Sequence, residues 1–223
     1  DPAVLEILDR HGTVLRSFTS ATPPRAQAAP VQGMRGPPGG APAEARLTNE
    51  PGMQRFRWDL RLPGPQEASG QTAGRGPVVA PDTYQVRLTI GAWSSTQPLT
   101  VRADPRVTAE GITDAMLTEQ MALAVRIRDA ITEARKTAAR VRTLKASATG
   151  AGAATLAEVE TEFFTASGPY PTPMLLDQLN YLASMLEGAD QRPGRDAYER
   201  LDELTRWHAA LVAKLRTVPG WQE

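Results

Sequence analysis

Two hydrophobic periods run along this chain, one after the other. The first is a period of two. Val4 to Asp9 (VLEILD) and Val14 to Thr19 (VLRSFT) are short apolar runs separated by Arg10-His11-Gly12-Thr13. With Gly12 free to take a left-handed backbone, that spacing predicts a β-hairpin. Gln54 to Leu62 (QRFRWDLRL) alternates strictly, with Phe56, Trp58, Leu60 and Leu62 on one face and Arg55, Arg57, Asp59 and Arg61 on the other. One apolar and one charged face predict a half-buried antiparallel strand. Tyr84, Val86, Leu88 and Ile90 alternate against Gln85, Arg87 and Thr89; Ala92-Trp93-Ser94-Ser95 turns the chain, and Gln97 to Arg102 reads as a last strand. Two Pro/Gly-rich stretches, Thr22 to Pro42 and Pro63 to Pro81, read as loops, the first too poor in apolar residues to offset its ordering entropy. Five strands, with a weaker sixth at Ala45 to Thr48, predict an Ig- or fibronectin-like antiparallel β-sandwich over residues 1–106.

After Asp104-Pro105 the period becomes helical. Ala124, Ile127, Ile131, Ala134, Ala138 and Val141 recur at alternating steps of three and four, one apolar stripe on a long helix that Thr113 or Asp114 can cap. Ser147 to Ala154, with Gly150 and Gly152, breaks it. Further helices are predicted over Thr155 to Thr165, Pro173 to Leu186 and Asp196 to Val218. The third of the four carries Leu175, Leu179, Leu182 and Leu186 in register; the last carries Leu201, Leu204, His208, Leu211 and Leu215. Short connections make an up-and-down four-helix bundle over residues 107–223 the economical arrangement, with packing of the short helices on the sheet as its alternative.

Composition narrows the function classes. The 223 residues carry 25 basic and 25 acidic side chains, a formal charge of zero, which removes the long-range attraction to nucleic acid that a basic protein has. Without cysteine there are no disulfides, no thiolate catalysis and no cysteine-held zinc. No apolar run reaches the roughly 18 residues of a membrane span. The opening Asp1-Pro2-Ala3-Val4 lacks signal-peptide organisation and enters strand-like sequence at once, as an excised fragment would.

Three stretches resemble a known family. Val4 to Asp9 with Gly12 and Val14 to Phe18, then Pro51 to Arg61, then Pro81 to Leu88, are similar to the Ig-like domain of the flagellar hook-capping protein and its extracellular relatives. They also resemble the segment after the β-propeller in bacterial BNR-repeat (sialidase- or sortilin-like) proteins, often labelled glycosyl hydrolases. Asp82 stands where those relatives usually have glycine before the Thr-Tyr pair; aspartate tolerates left-handed geometry better than most residues. Gln97 to Arg102 with Asp104-Pro105-Arg106 resembles the sandwich-to-helix junction of the same proteins. Met174 to Leu182 and Gly188 to Tyr198 resemble their helical C-terminus. The resemblance implies an extracytoplasmic, periplasmic or secreted, parent with an N-terminal propeller, to which any hydrolase label belongs. It also implies a strand upstream of position 1, whose absence leaves an open sheet edge and a route to self-association.

The candidate chemistry is sparse. His11 falls in the hairpin turn, a poor platform for a general base. His208 lies in the apolar register of the last helix, where a packed or edge imidazole is the simpler role than catalysis. No histidine–carboxylate metal spacing occurs. Asp59 follows Trp58, and aromatic rings line many sugar sites, but alternation turns it among Arg55, Arg57 and Arg61 toward an ion pair. Glu158, Glu160 and Glu162 cannot all share a helical face. Arg135, Lys136, Arg140, Arg142 and Lys145 lack the interleaved aromatics of a nucleic-acid site and suit a solvated face near a helix C-terminus. The loop from Gly188 to Asp196 alternates in sign through Asp190, Arg192, Arg195 and Asp196. It is either a helix connection capped by Asp196 or a docking loop whose arginines contact the propeller. Trp93 is a candidate sugar contact. The expectation is a non-catalytic C-terminal accessory or interaction module without cofactor, metal or nucleic-acid partner, with a carbohydrate-binding sandwich as the first alternative and a hydrolase within the chain as the second.

Overall fold

A computed structural model describes residues 1–21 and 47–221. Four strands form one antiparallel sheet: β1 (Ala3–Leu8), β2 (Val14–Thr19), β3 (Asp82–Ile90) and β4 (Trp93–Val101), in the order β2-β1-β3-β4. The loop predicted at residues 22–42 lies outside the described residues, as do Ala45 and Arg46. Of the weak strand proposed there, Leu47 and Thr48 belong to none.

The first hairpin forms for the predicted reason; the second turns at Gly91-Ala92, and Trp93, Ser94 and Ser95 of the predicted turn belong to β4. In the first, Gly12 takes φ 86°, while Asp9 Oδ1 accepts from the backbone N–H of His11 and Thr13, both at 2.8 Å. In the second, Gly91 takes φ 57° and β4 starts at Trp93, several residues before the predicted Gln97, because Ile90 and Trp93 already pair across a two-residue turn. One sheet face is polar, with the Glu6–Arg87 ion pair at 2.7 Å. The other carries Leu5, Ile7, Phe18, Tyr84, Val86, Leu99 and Val101 into a common core.

The segment predicted as the middle strand covers that apolar face instead of joining a sheet. From Arg55 to Asp59 the alternation holds: Phe56 packs on Phe18 with ring centroids 4.6 Å apart, and Trp58 meets Tyr84 edge-on at 6.0 Å. It breaks at Leu60, which takes φ 57° and leaves its side chain exposed. The reversal turns Arg61 inward. Backbone bonds then go to the next loop, from Leu62 N to Pro77 O and from Val79 N to Leu60 O, both 2.8 Å. Periodicity reports which side chains are buried, not which backbone they pair with. Among the described residues there is accordingly a single sheet, whose edges β2 and β4 each pair on one side only. Pro98 interrupts the donors of β4, a common guard on an edge strand.

The second Pro/Gly-rich loop is ordered. Gly64, Pro65, Gly76, Pro77, Val79 and Ala80 are buried, and Ala73 N donates to Pro65 O at 2.8 Å. Its glycines permit close passage of backbone: a Cβ on Gly64 would stand 2.6 Å from Gly74 O, and one on Gly76 would collide with Leu62 O.

A short α1 (Pro105–Ala109), N-capped by Asp104, leads into α2 (Asp114–Lys145), whose N-cap is Thr113 with its side chain accepting from Met116 N. Then follow α3 (Gly150–Phe163), α4 (Leu175–Leu186) and α5 (Arg195–Leu215). The predicted stripes are buried, from Ala124 to Val141 on α2, Leu175 to Leu186 on α4 and Leu201 to Leu215 on α5, with only His208 partly exposed. α3 begins five residues earlier than predicted: Ala151, Ala153 and Ala154 are strong helix formers, and the packing of Leu156, Val159 and Phe163 offsets two glycines that cost about 1 kcal/mol each.

The four long helices share one core but do not stand as four neighbours of equal height. Glu160 of α3 meets Arg142 and Lys145 near the C-terminal end of α2, whereas the end of α4 meets Gln120 near the opposite end. α3 and α4 therefore run one after the other along α2, both antiparallel to it, and α5 returns parallel to α2, through Arg126–Asp202 and His208–Thr137. The proline-rich connection from residue 164 to 174 divides what is in effect one broken middle helix.

Sheet and helices meet through Met121 and Val125, which join the sheet core. Arg61–Glu187 at 2.6 Å, Arg135–Glu67 at 3.1 Å and Gln66 N to Thr132 Oγ1 at 3.0 Å surround that contact. Because backbone blocks the added methyl, Gly76→Ala is expected to lower unfolding free energy by about 2–3 kcal/mol in urea titration. A change below about 0.5 kcal/mol would mean that the loop does not hold this packing.

Candidate functional site

The loop between α4 and α5 gathers Asp190, Arg192, Arg195 and Asp196 within a few residues, and its shape is held from outside. Gln120 on α2 donates through Nε2 to Leu186 O at 2.6 Å and to Ala189 O at 2.7 Å, while its Oε1 accepts from Gln191 N at 3.3 Å. Next to it, Glu119 Oε2 pairs with Arg192 Nε at 3.1 Å. Sequence reasoning missed both residues. Their only signal was position, one helical turn before the buried Leu123 and Ala124, and nothing in that position names a distant loop as partner.

Arg195 points outward, with its side chain 90% exposed and paired with Glu199 one turn along α5. Asp196 does not cap the helix as predicted. Gly194 is the N-cap, and Asp196 sits inside the first turn, where its negative charge is still favoured by the helix dipole. Asp190 borders a cleft with Val101, Arg102 and Asp104 at the end of β4. Asp104 accepts from the side chain and backbone N–H of Arg106, which lowers its carboxyl to about 2.

Trp93 lies at the opposite end of β4 from that cleft and is 55% exposed, with Ile90 beside it. The residues of the loop between α4 and α5 and the candidate sugar contact therefore lie on separate surfaces.

Asp59 forms the expected ion pair, accepting from Arg16 Nη1 at 3.2 Å. The acidic trio of α3 is divided among four partners: Glu158 takes Lys214, Glu160 takes Arg142 and Lys145, and Glu162 accepts from the Trp207 indole at 3.1 Å. The antiparallel turn puts α2 cations opposite an α3 carboxylate, with Glu160 as the hub. Arg140 faces Trp221, its guanidinium carbon 5.3 Å from the ring centroid, and Arg142 covers Phe164 at 3.7 Å. The basic run is thus largely spent on internal partners.

Among the described residues no group of three or more His, Asp or Glu side chains converges for metal binding, and no helix is long and apolar enough to cross a membrane. Compared with protein-family models, curated proteins and solved structures, the chain matches none.

His208 lies partly buried between α2 and α3, its Nε2 3.0 Å from Thr137 Oγ1 and its ring edge-on to Phe163 at 6.0 Å. Burial lowers its pKa from the usual 6.5, against an opposing pull from Glu133. The unfolded chain therefore binds more protons below that value. The stability from the neutral imidazole is complete above about pH 6.5 and is lost as pH falls through 6.5 toward the lower folded value. His208→Gln keeps a partner for Thr137 and removes the titration. The melting-temperature advantage of the natural chain over this variant is expected to be constant above about pH 7 and to shrink by about pH 5.5. A pH-independent gap would contradict the assignment.

Gln120→Ala removes three bonds to the loop. It is expected to cost about 1–3 kcal/mol and to raise amide exchange selectively between residues 187 and 194. Unchanged exchange there would show that the loop holds its own shape.

Proposed function

We propose that this chain is a non-catalytic accessory module from the C-terminal part of a larger extracytoplasmic bacterial protein, docking against or spacing an N-terminal β-propeller. In this reading the sheet with its covering segment stands for an Ig-like sandwich, the segment from residue 54 to 62 taking the place of the second layer. The helices form the bundle that carries the docking loop. The observation that carries the proposal is the clamped loop: Gln120 and Glu119 fix its backbone and Arg192, and Arg195, paired with Glu199, projects into solvent beside them. A charged loop whose shape is set before contact loses little entropy on binding, as a docking element requires. The resemblance of residues 174–182 and 188–198 to the helical end of propeller proteins supports the same partner.

A carbohydrate-binding module is the second reading, favoured by the exposure of Trp93 beside Ile90 on the second hairpin. The two separate cleanly by mutation. Titration of this chain with a separately produced BNR-type propeller from the same open reading frame is expected to show binding. Replacing Arg192 and Arg195 together by Ala is expected to weaken it about tenfold, 1.4 kcal/mol, and Trp93→Ala to leave it unchanged. Glycan binding that disappears in Trp93→Ala, or turnover of a glycoside or peptide panel by the purified chain, would replace this reading with one of its rivals.

A further inference from the structure

A second surface, which shares Arg192, Pro193 and Asp196 with the loop between α4 and α5, lies on the outer side of α4. That helix buries Leu175, Leu179, Leu182 and Leu186 toward the core, yet Tyr181 and Met185 on another flank are 67% and 56% exposed. They are four residues apart, one turn above the other, and form an apolar ridge that no element of this chain covers among the described residues. The ridge floors a groove of about 1310 Å³ between α4 and the start of α5. Pro171 and Pro173 wall one end and Pro193 the other, so the rims are conformationally restricted before anything binds.

The polar groups around the groove decide what kind of occupant fits. Arg200 is held by Glu203 and by Gln178, Arg192 by Glu119, and Glu199 by Arg195. Asp177 on α4 and Asp196 on α5 also line the groove and carry no ion pair among the described residues. The cations are already engaged and two carboxylates are open. A second copy of this chain would set those carboxylates against its own, so self-association through this face is electrostatically disfavoured.

We propose that the groove binds an amphipathic helix of another protein segment, with apolar residues at helical spacing on Tyr181 and Met185 and Lys or Arg side chains reaching Asp177 and Asp196. A helix laid there adds a further helix beside α4 and α5, the helix-in-groove mode in which i, i+3, i+4 and i+7 side chains anchor. The basic flanks set orientation and association rate, and the apolar ridge supplies the anchor.

Fluorescence anisotropy with synthetic peptides of about five helical turns tests this. One peptide has leucine on one face and lysine flanks, a second carries glutamate in place of lysine, and a third is a scramble of the first. The whole chain is expected to bind the lysine peptide at micromolar concentration and the other two at least tenfold more weakly. The surface variant with both Tyr181→Ser and Met185→Ser, its fold verified by circular dichroism, is expected to lose at least tenfold in affinity. Asp177→Lys with Asp196→Lys is expected to do the same. Equal binding of the lysine peptide by the natural chain and the Tyr181/Met185 variant would overturn the proposal, because charge alone would then be responsible. Absence of binding, or self-association abolished by Met185→Ser, would also overturn it. None of these outcomes depends on whether the chain docks to a propeller.

Discussion

One helix sets the position of almost everything else. α2 is 32 residues long, about 48 Å, and its sides serve two cores at once. Met121 and Val125 close the sheet core, while Leu123, Ala124 and the stripe down to Val141 receive α3, α4 and α5. Residues only one or two positions apart thus belong to different cores, which is possible because neighbouring positions on a helix face about 100° apart. Small side chains at Ala124, Ala134 and Ala138 let the partner helices approach closely, and Ala134 and Ala138 are almost fully buried. Shortening or kinking this helix would disturb both cores together.

The extent to which the sequence disclosed this arrangement depends on what kind of interaction each element uses. Helical stripes and hairpins rest on local spacing, so the residues from Ala124 to Val141 and the turn at Gly12 were legible, while the second turn falls at Gly91-Ala92 and not over Ala92 to Ser95. The segment Gln54 to Leu62 was half legible. Phe56 and Trp58 are half-buried on one face as alternation requires, but alternation carries no information about backbone partners, and the left-handed turn at Leu60 has no signal in a leucine. The order of helices was not legible either. A Gly/Pro-rich connection from residue 164 to 174 reads as a reversal, whereas here the chain continues in the same direction on the other side of it.

The candidate site divides along the same line. Charge alternation in residues 188–196 identified the loop, because exposed opposite charges around Pro193-Gly194 are visible without a fold. Its restraint by Gln120 and Glu119 was not visible, since those contacts join positions some seventy residues apart. His208 was legible as a packed imidazole, although its partner Thr137 is likewise distant in sequence. Ion-pair identities were the least legible of all. Any of Glu158, Glu160 and Glu162 could face the cations of α2, and small differences in helix rotation select Glu160.

The seam between sheet and helices shows why this chain behaves as one unit despite its two periods. Its apolar part is small, essentially Met121 and Val125 against the sheet core, and would not by itself fix an orientation. Around it stand directional contacts: the half-buried Arg61–Glu187 pair, Arg61 also donating to Gly76 O at 2.7 Å, and Gln66 N donating to Thr132. Charged hydrogen bonds of this kind add little net stability after desolvation but penalise every other register, because displacement leaves a half-buried guanidinium or carboxylate without its partner. Glu187 is the first residue of the clamped loop. The contact that orients the helices on the sheet therefore also fixes one end of Asp190, Arg192 and Arg195, and the loop's geometry becomes a property of the whole chain rather than of the helix pair that bears it.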